Sequence, residues 1–363
     1  MKLLFILLSF LFFFNPLLSQ NSWLLMPSYR HGFLLPHRPS LAYFNNQHID
    51  EITFEVSKQL SDTNQWHRLY RLPNVGAGLY FANLPSSYYT GKSIAAYSFI
   101  DIPIKWAKKY SINYSIGTGI AYLTKHFSKT DNYYNIAIGS AFNAYINLGL
   151  YYSHYFNKIQ INTGISFTHY SNGAWKKPNL GFNIPTVKIS VGYLSKVKTP
   201  FLQKAQYKKN KYNAYEYDIM FSCGTRQNYP ADPNSYLVNN LAFTFEKYIS
   251  LKRKLGIGID LFYDPSIPIR EQAIPNFNTY NHYFRSGLRF SHDLIFKQLS
   301  ITMQTGCYIY DPLLSDGYVY SKFGIRYNIN SWLRASLLLK SHFAKADVIE
   351  FGLSLYKKQK KGT

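Results

Sequence analysis

Only two cysteines occur in 363 residues. A disulfide framework therefore does not hold this fold. Cys223 and Cys307 both fall on apolar faces of predicted strands, so two free thiols are expected. Acidic side chains are also scarce: 18 Asp and Glu stand against 40 Lys and Arg, a net charge of +22. That excess points to an anionic surface or ligand, such as phosphorylated lipid. Solvated lysine-rich loops account equally well for KVKTPFLQKAQYKKNK (196–211) and KKQKK (357–361). Past residue 20 no apolar run is long enough for a spanning helix. The ten histidines show no ligand spacing such as His-x-x-x-His, so neither a metal site nor a cofactor is expected.

The first twenty residues, MKLLFILLSFLFFFNPLLSQ, have one Lys, a short apolar run and small or polar residues at the end. This is the pattern of a secretory signal peptide, with cleavage expected after Ser19 or Gln20. An exported chain has no access to nucleic acid, the other partner a basic chain suggests. Aromatic residues are abundant, with 34 Tyr and 27 Phe. That load suits the aromatic girdles of a membrane-spanning barrel.

Strands dominate the pattern. From Ile136 to Tyr152, Ile136, Ile138, Phe142, Ile146, Leu148 and Leu150 alternate with Ala137, Gly139, Asn143, Asn147 and Gly149. One face is apolar and the other small or polar, the period of two expected for a half-buried strand. Similar segments are predicted near 22–34, 48–59, 73–84, 91–106, 110–126, 136–155, 159–172, 182–195, 216–228, 236–250, 254–264, 283–296, 299–310, 319–329, 332–342 and 346–357. Their length exceeds the usual five or six residues and favours tilted membrane strands. The expected fold is all-β: an antiparallel outer-membrane β-barrel of about 14–16 strands, or an eight-strand barrel plus a second β half. Residues 21–196 form the first region, 197–215 a basic linker or loop and 216–363 a C-terminal β region. A lumenal ion-pair network of Lys340, Glu350 and Arg334 is expected near the last hairpin.

The stretch THYSNGAWKKPNLGFN (168–183) interrupts this regularity. Ile161, Thr163, Ile165 and Phe167 share the lipid-facing side of their strand, and His169 and Ser171 continue it. Asn183 shares the parity of Val187, Ile189 and Val191. Polar groups on a lipid-facing wall are costly unless they pair or act. Imidazole and hydroxyl at i and i+2 suit an activated Ser nucleophile with a His base, and an amide can orient the imidazole. Asn172 and Asn179 lie close enough to serve as oxyanion donors. Lys176 and Lys177 can meet phosphate at the headgroup level. In a Tyr-, Ser- and Asn-rich barrel, His-x-Ser alone is more often an interfacial hydrogen-bond pair.

HYSNG followed by KPNLGFN resembles the signature of the lipid A 3-O-deacylase (PagL-like) or acyloxyacyl hydrolase-like family of outer-membrane proteins. LKSHFAKADVIEFGLSLY (338–355) resembles the tail of its longer, Bacteroidetes-type members. The resemblance implies a barrel that hydrolyses an ester-linked acyl chain of lipopolysaccharide without a metal. It implies His169 as base, Ser171 as nucleophile, and Asn172 and Asn179 at the oxyanion positions. It also implies lipid A and outer-membrane lipid as partners, insertion by the barrel-assembly machinery, and residence in the outer membrane of a Gram-negative bacterium. A homodimer is left open. Two departures stand out: Asn183 occupies the position where the family carries Glu, and the family's minimal barrel would end near residue 196. The alternative is a non-catalytic barrel, whether a porin, a structural protein or a lipopolysaccharide binder.

Overall fold

The computed structural model describes residues 23–196, 214–271, 282–312, 316–343 and 345–360. The expected signal peptide and nearly all of the basic linker lie outside the described residues. Sixteen strands form two closed antiparallel barrels of eight. The first holds β1 (Trp23–Phe33), β2 (His48–Gln59), β3 (Asn74–Asn83), β4 (Lys92–Trp106), β5 (Tyr110–Leu123), β6 (Phe142–Phe156), β7 (Ile159–Ser171) and β8 (Phe182–Leu194). The second holds β9 (Ala214–Arg226), β10 (Tyr236–Ser250), β11 (Arg253–Tyr263), β12 (Phe284–Phe296), β13 (Leu299–Tyr310), β14 (Val319–Asn328), β15 (Leu333–His342) and β16 (Lys345–Lys360). β1 pairs with β8, Leu24 opposite Leu194, and β16 pairs with β9, Phe351 opposite Cys223. Both cysteines are free.

A strand of 13 residues such as β7 is roughly 43 Å long, and a tilt of about 45° gives about 30 Å along the barrel axis. That matches the hydrocarbon thickness of a bilayer. Burial alternates residue by residue along β8 and β10. Ile165, Val187 and Leu241 point outward and exposed, while Thr168, Lys188 and Asn240 point inward and buried. Apart from the long β2–β3 connection, which carries the short helix Gln65–Leu69, short turns close one end of each barrel; most of the connections at the other end are longer. We call these the turn end and the loop end.

The sixth strand starts at Phe142, six residues later than its alternation suggests. Residues 136–141 instead fold over the loop end. Their backbone is used there: Phe127 N–H donates to the Ile138 carbonyl (2.8 Å), and Gly181 N–H to that of Ala137 (2.9 Å). Ala137 and Ile138 are buried with Leu34, Phe44, Tyr80, Tyr145, Tyr170 and Phe182 in one cluster at this end. An apolar plug and an apolar strand face read alike in sequence.

Neither lumen is left open by the side chains described. In the first, Glu55 accepts from Arg30 (3.2 Å), Lys188 (3.1 Å) and Tyr97 (2.6 Å). In the second, Arg326 meets Asp218 (3.0 Å), Glu246 (2.7 Å) and Asp293 (3.0 Å). Lys340, Glu350 and Arg334 all lie in this lumen but do not pair with one another. Lys340 meets Asp347 (2.9 Å), Glu350 meets Lys322 (3.1 Å), and Arg334 meets Glu216 (2.6 Å) and Asp218 (2.8 Å). Arg334 and Lys340 sit about 20 Å apart along one strand, too far to share a carboxylate.

The barrels pack side by side. At the turn end Tyr70, in the β2–β3 connection, donates to the Ile295 carbonyl (3.0 Å) and stacks on Phe296 at 4.5 Å between ring centres. Ile102 on β4 and Ile301 on β13 are buried in the same cluster. At the loop end the contact falls on the connection between β7 and β8.

Candidate active site

β7 and β8 pair with His169 directly opposite Asn183, and β6 sets Ala144 opposite Ser171. Their side chains leave the outer wall where the strands end. His169 Nδ1 lies 2.6 Å from Asn183 Oδ1. With the amide oxygen turned to the ring, Nδ1 carries the proton and Nε2 keeps the lone pair a base needs. Asn183 Nδ2 lies 2.9 Å from His37 Nδ1, on the loop after β1. That loop is held in place by Leu35 N–H donating to the Asn183 carbonyl (2.8 Å).

The Ser171 hydroxyl is approached by Asn179 Nδ2 (3.0 Å) and by the Gly173 N–H (3.2 Å). Both donors meet the oxygen of the nucleophile candidate. Among the described residues no hydrogen bond joins Ser171 to His169. Asn179 Oδ1 also accepts the Asn172 N–H (3.0 Å). The Asn172 side chain is taken up by the loop: Nδ2 donates to Ser140 Oγ (2.9 Å) and to the Lys176 carbonyl (2.8 Å), and Oδ1 accepts from Ala174 N–H (3.0 Å). Gly173 and Gly181 have φ of +64° and +78°. Both lie in the left-handed region where a Cβ is disfavoured. A Cβ on Gly181 would also stand 3.2 Å from His169 Cε1.

The second barrel completes the loop's surroundings. Gln227, just after β9, donates its N–H to the Ala174 carbonyl (3.1 Å) and accepts the Lys177 N–H on Oε1 (2.8 Å). Ile349 on β16 lies against Gly173. Lys176 is exposed and Lys177 half-buried. Burial, followed by the nearby charges of Arg226 and Lys345, pushes the Lys177 ammonium down to about 8. His37, Ser140, Gln227 and Ile349 were not legible as site residues. They lie in distant loops or strands, and no spacing links them to the motif.

Asp316, His342 and Asp347 gather their ligand atoms within 4.8 Å in the second barrel. Arg270 (2.9 Å) and Arg285 (3.0 Å) already occupy Asp316, and Lys340 (2.9 Å) and Arg226 occupy Asp347. With its carboxylates neutralised by cations, the cluster does not fit a metal ion.

These features define a double β-barrel of the membrane-spanning type, with an imidazole, a hydroxyl and three side-chain amides gathered at the loop end of its outer wall. The chain belongs to the lipid A 3-O-deacylase (PagL) and acyloxyacyl hydrolase family. Residues 52–193 match the model of lipid A 3-O-deacylase (PagL), and residues 215–360 that of the acyloxyacyl hydrolase C-terminal domain. It is thus an ester hydrolase by family and an outer-membrane barrel. No curated protein sequence matches it. Among solved structures, a triple mutant of the Rhodopseudomonas blastica porin aligns at 7% identity over 93% of this chain and 100% of its own, with a TM-score of 0.20. The FrpB iron transporter of Neisseria meningitidis aligns at 8% identity over 95% of this chain and 70% of its own, with a TM-score of 0.25. Likenesses this loose bear on neither fold nor function.

Proposed function

We propose that this protein removes an ester-linked acyl chain from lipid A, with Ser171 as nucleophile and His169 as base. The observation that carries the reading is the placement of the cluster. His169, Ser171 and Asn183 lie on the lipid-facing wall, directly above exposed Leu148 (45%), Ile165 (59%) and Val187 (63%). An acyl chain lying along those three side chains brings its ester to Ser171. Long loops mark the extracellular end of bacterial barrels, and lipopolysaccharide occupies that leaflet.

His169 Nε2 takes the Ser171 proton as the hydroxyl turns from Asn179 towards the imidazole. Ser171 Oγ then attacks the acyl carbonyl. Gly173 N–H and Asn179 Nδ2 receive the oxyanion. Collapse expels the sugar hydroxyl, which takes its proton from His169, and leaves the acyl chain on Ser171. Water, deprotonated by His169, releases the fatty acid and restores the hydroxyl. Lys176 and Lys177 hold the phosphorylated headgroup. Asn183 orients His169 where the family carries an acid, and Asn172 shapes the donor loop. The chain reaches the outer membrane after loss of residues 1–20 and insertion by the barrel-assembly machinery.

A second reading, binding of lipid A without cleavage, is favoured by the amide at position 183 and by the missing Ser171–His169 hydrogen bond. The filled lumens give no support to a porin. Mass spectrometry of lipid A from cells making wild type or Ser171→Ala separates the readings. Loss of one acyl chain with wild type alone is expected. Unmodified lipid A in both, with both barrels folded, overturns cleavage in favour of binding.

A further inference from the structure

We propose that His37 is a positioning residue: it dictates the direction of the Asn183 amide and, through it, which nitrogen of His169 is basic. This rests on the Ser171–His169 reading above.

The argument is one of donors and acceptors. Asn183 sits between two imidazole nitrogens, Nδ1 of His169 at 2.6 Å and Nδ1 of His37 at 2.9 Å. An amide has one accepting and one donating end, so two arrangements satisfy both contacts. In one, Oδ1 accepts from His169 Nδ1–H and Nδ2 donates to a bare His37 Nδ1. In the other the amide is turned over and both imidazoles exchange tautomers. Only the first leaves His169 Nε2 unprotonated in the neutral ring. The second puts a proton on Nε2 and removes the base.

A carboxylate at position 183 would settle the choice alone, because it only accepts. An amide does not, so the decision passes to whatever fixes His37. The Leu180 backbone beside His37 favours its protonated form, as a carbonyl acceptor does. With Nδ1 taken up by Asn183 at 2.9 Å, a carbonyl beside the ring favours the proton on Nε2. Neutral His37 therefore has a bare Nδ1 and demands the donating end of Asn183. The order runs from the Leu180 carbonyl through His37 and Asn183 to His169. Protonated His37 would donate from both nitrogens, turn the amide over and silence the base. Arg38 on its own loop and His169 on β7 are the charged or titratable groups around His37 in this chain of contacts. Burial and then Arg38 hold the imidazolium below its ordinary range, which favours the neutral ring.

The test is a double-variant cycle on purified, detergent-folded protein with lipid A as substrate. His37→Ala is expected to lower kcat about tenfold, the scale of one lost orienting hydrogen bond, with KM unchanged. In an Asn183→Asp background the same change is expected to cost less than about twofold, because the carboxylate needs no partner to face His169. Equal losses in both backgrounds would show a merely structural role and overturn the proposal. So would full activity of His37→Ala in the otherwise native protein. Heat-modifiable gel migration reports folding. Should His37→Ala not fold, His37→Gln takes its place, with a partial loss of kcat expected because its amide can face either way. Ser171→Ala is run alongside. If that variant still deacylates, the Ser171–His169 reading itself fails. If it is inactive while His37→Ala equals wild type, only the role of His37 fails.

Discussion

Substituting Gly173 by Ala tests whether the second barrel shapes the site of the first. Gly173 has φ of +64°, so an Ala there costs about 1–2 kcal/mol in backbone strain. Its Cβ would overlap Ile349 Cγ1 and stand 2.6 Å from Cδ1, an overpacking worth about 1–3 kcal/mol. Neither closed barrel gives easily, so the loop moves instead. A shift of about 1 Å in the Gly173 N–H misplaces a donor to the oxyanion, an effect on the order of a hundredfold in rate. Ile349→Ala removes Cγ1 and Cδ1 but keeps Cβ, which lies 3.4 Å from the added methyl, an ordinary contact. The double variant then retains only the backbone term, and kcat is expected to recover about tenfold. The assay is release of fatty acid from lipid A by the folded proteins. A fully active Gly173→Ala, or a double variant no better than the single one, would refute the packing argument.

Arg326→Met should strand Asp218, Glu246 and Asp293 around one missing cation. We expect about 3–5 kcal/mol of lost stability, read as a lower urea midpoint, with the effect centred on the second barrel. The depressed Lys177 pKa of about 8 carries a pH dependence. The ammonium is charged below that value and neutral above it, so KM for lipid A should rise as pH passes about 8 if Lys177 grips phosphate. Lys177→Arg keeps its charge and should remove that rise; an unchanged KM–pH profile would count against the contact. For stability the sign is opposite. The unfolded chain binds more protons than the folded one between about 8 and the ordinary lysine value near 10.5, so this group's penalty on folding fades as pH rises through that window. Val187→Lys, on the wall below His169, should raise KM and cost about 2–4 kcal/mol of stability if that position lies near mid-membrane.

Much of this molecule was legible because alternation is local. Ile161, Thr163, Ile165 and Phe167 declare a lipid face within seven residues, and parity carries His169, Ser171 and Asn183 onto it. The same locality explains the misplaced start of the sixth strand, since Ile136 and Ile138 alternate whether they face lipid or plug a barrel mouth. Period two decides which way a side chain points and says nothing about which strand edge it meets. The sequence left open one barrel of about 14–16 strands and an eight-strand barrel with a second β half. Closure into two eights depends on β1 meeting β8 and β16 meeting β9, pairings that depend on the course of the whole chain. Charges follow the same logic: Arg334, Lys340 and Glu350 were assigned to the lumen as one network, but Arg334 meets β9, Glu350 meets β14, and Lys340 meets Asp347 of its own hairpin. The sequence by itself determined the strands, their outward faces and the His-x-Ser pair, because each is written in neighbouring residues. Only the tertiary structure decided that His37, 146 residues away, faces Asn183, and that Gln227 and Ile349 of the second barrel hold the loop beside Ser171, because such contacts follow from how the barrels close and pack.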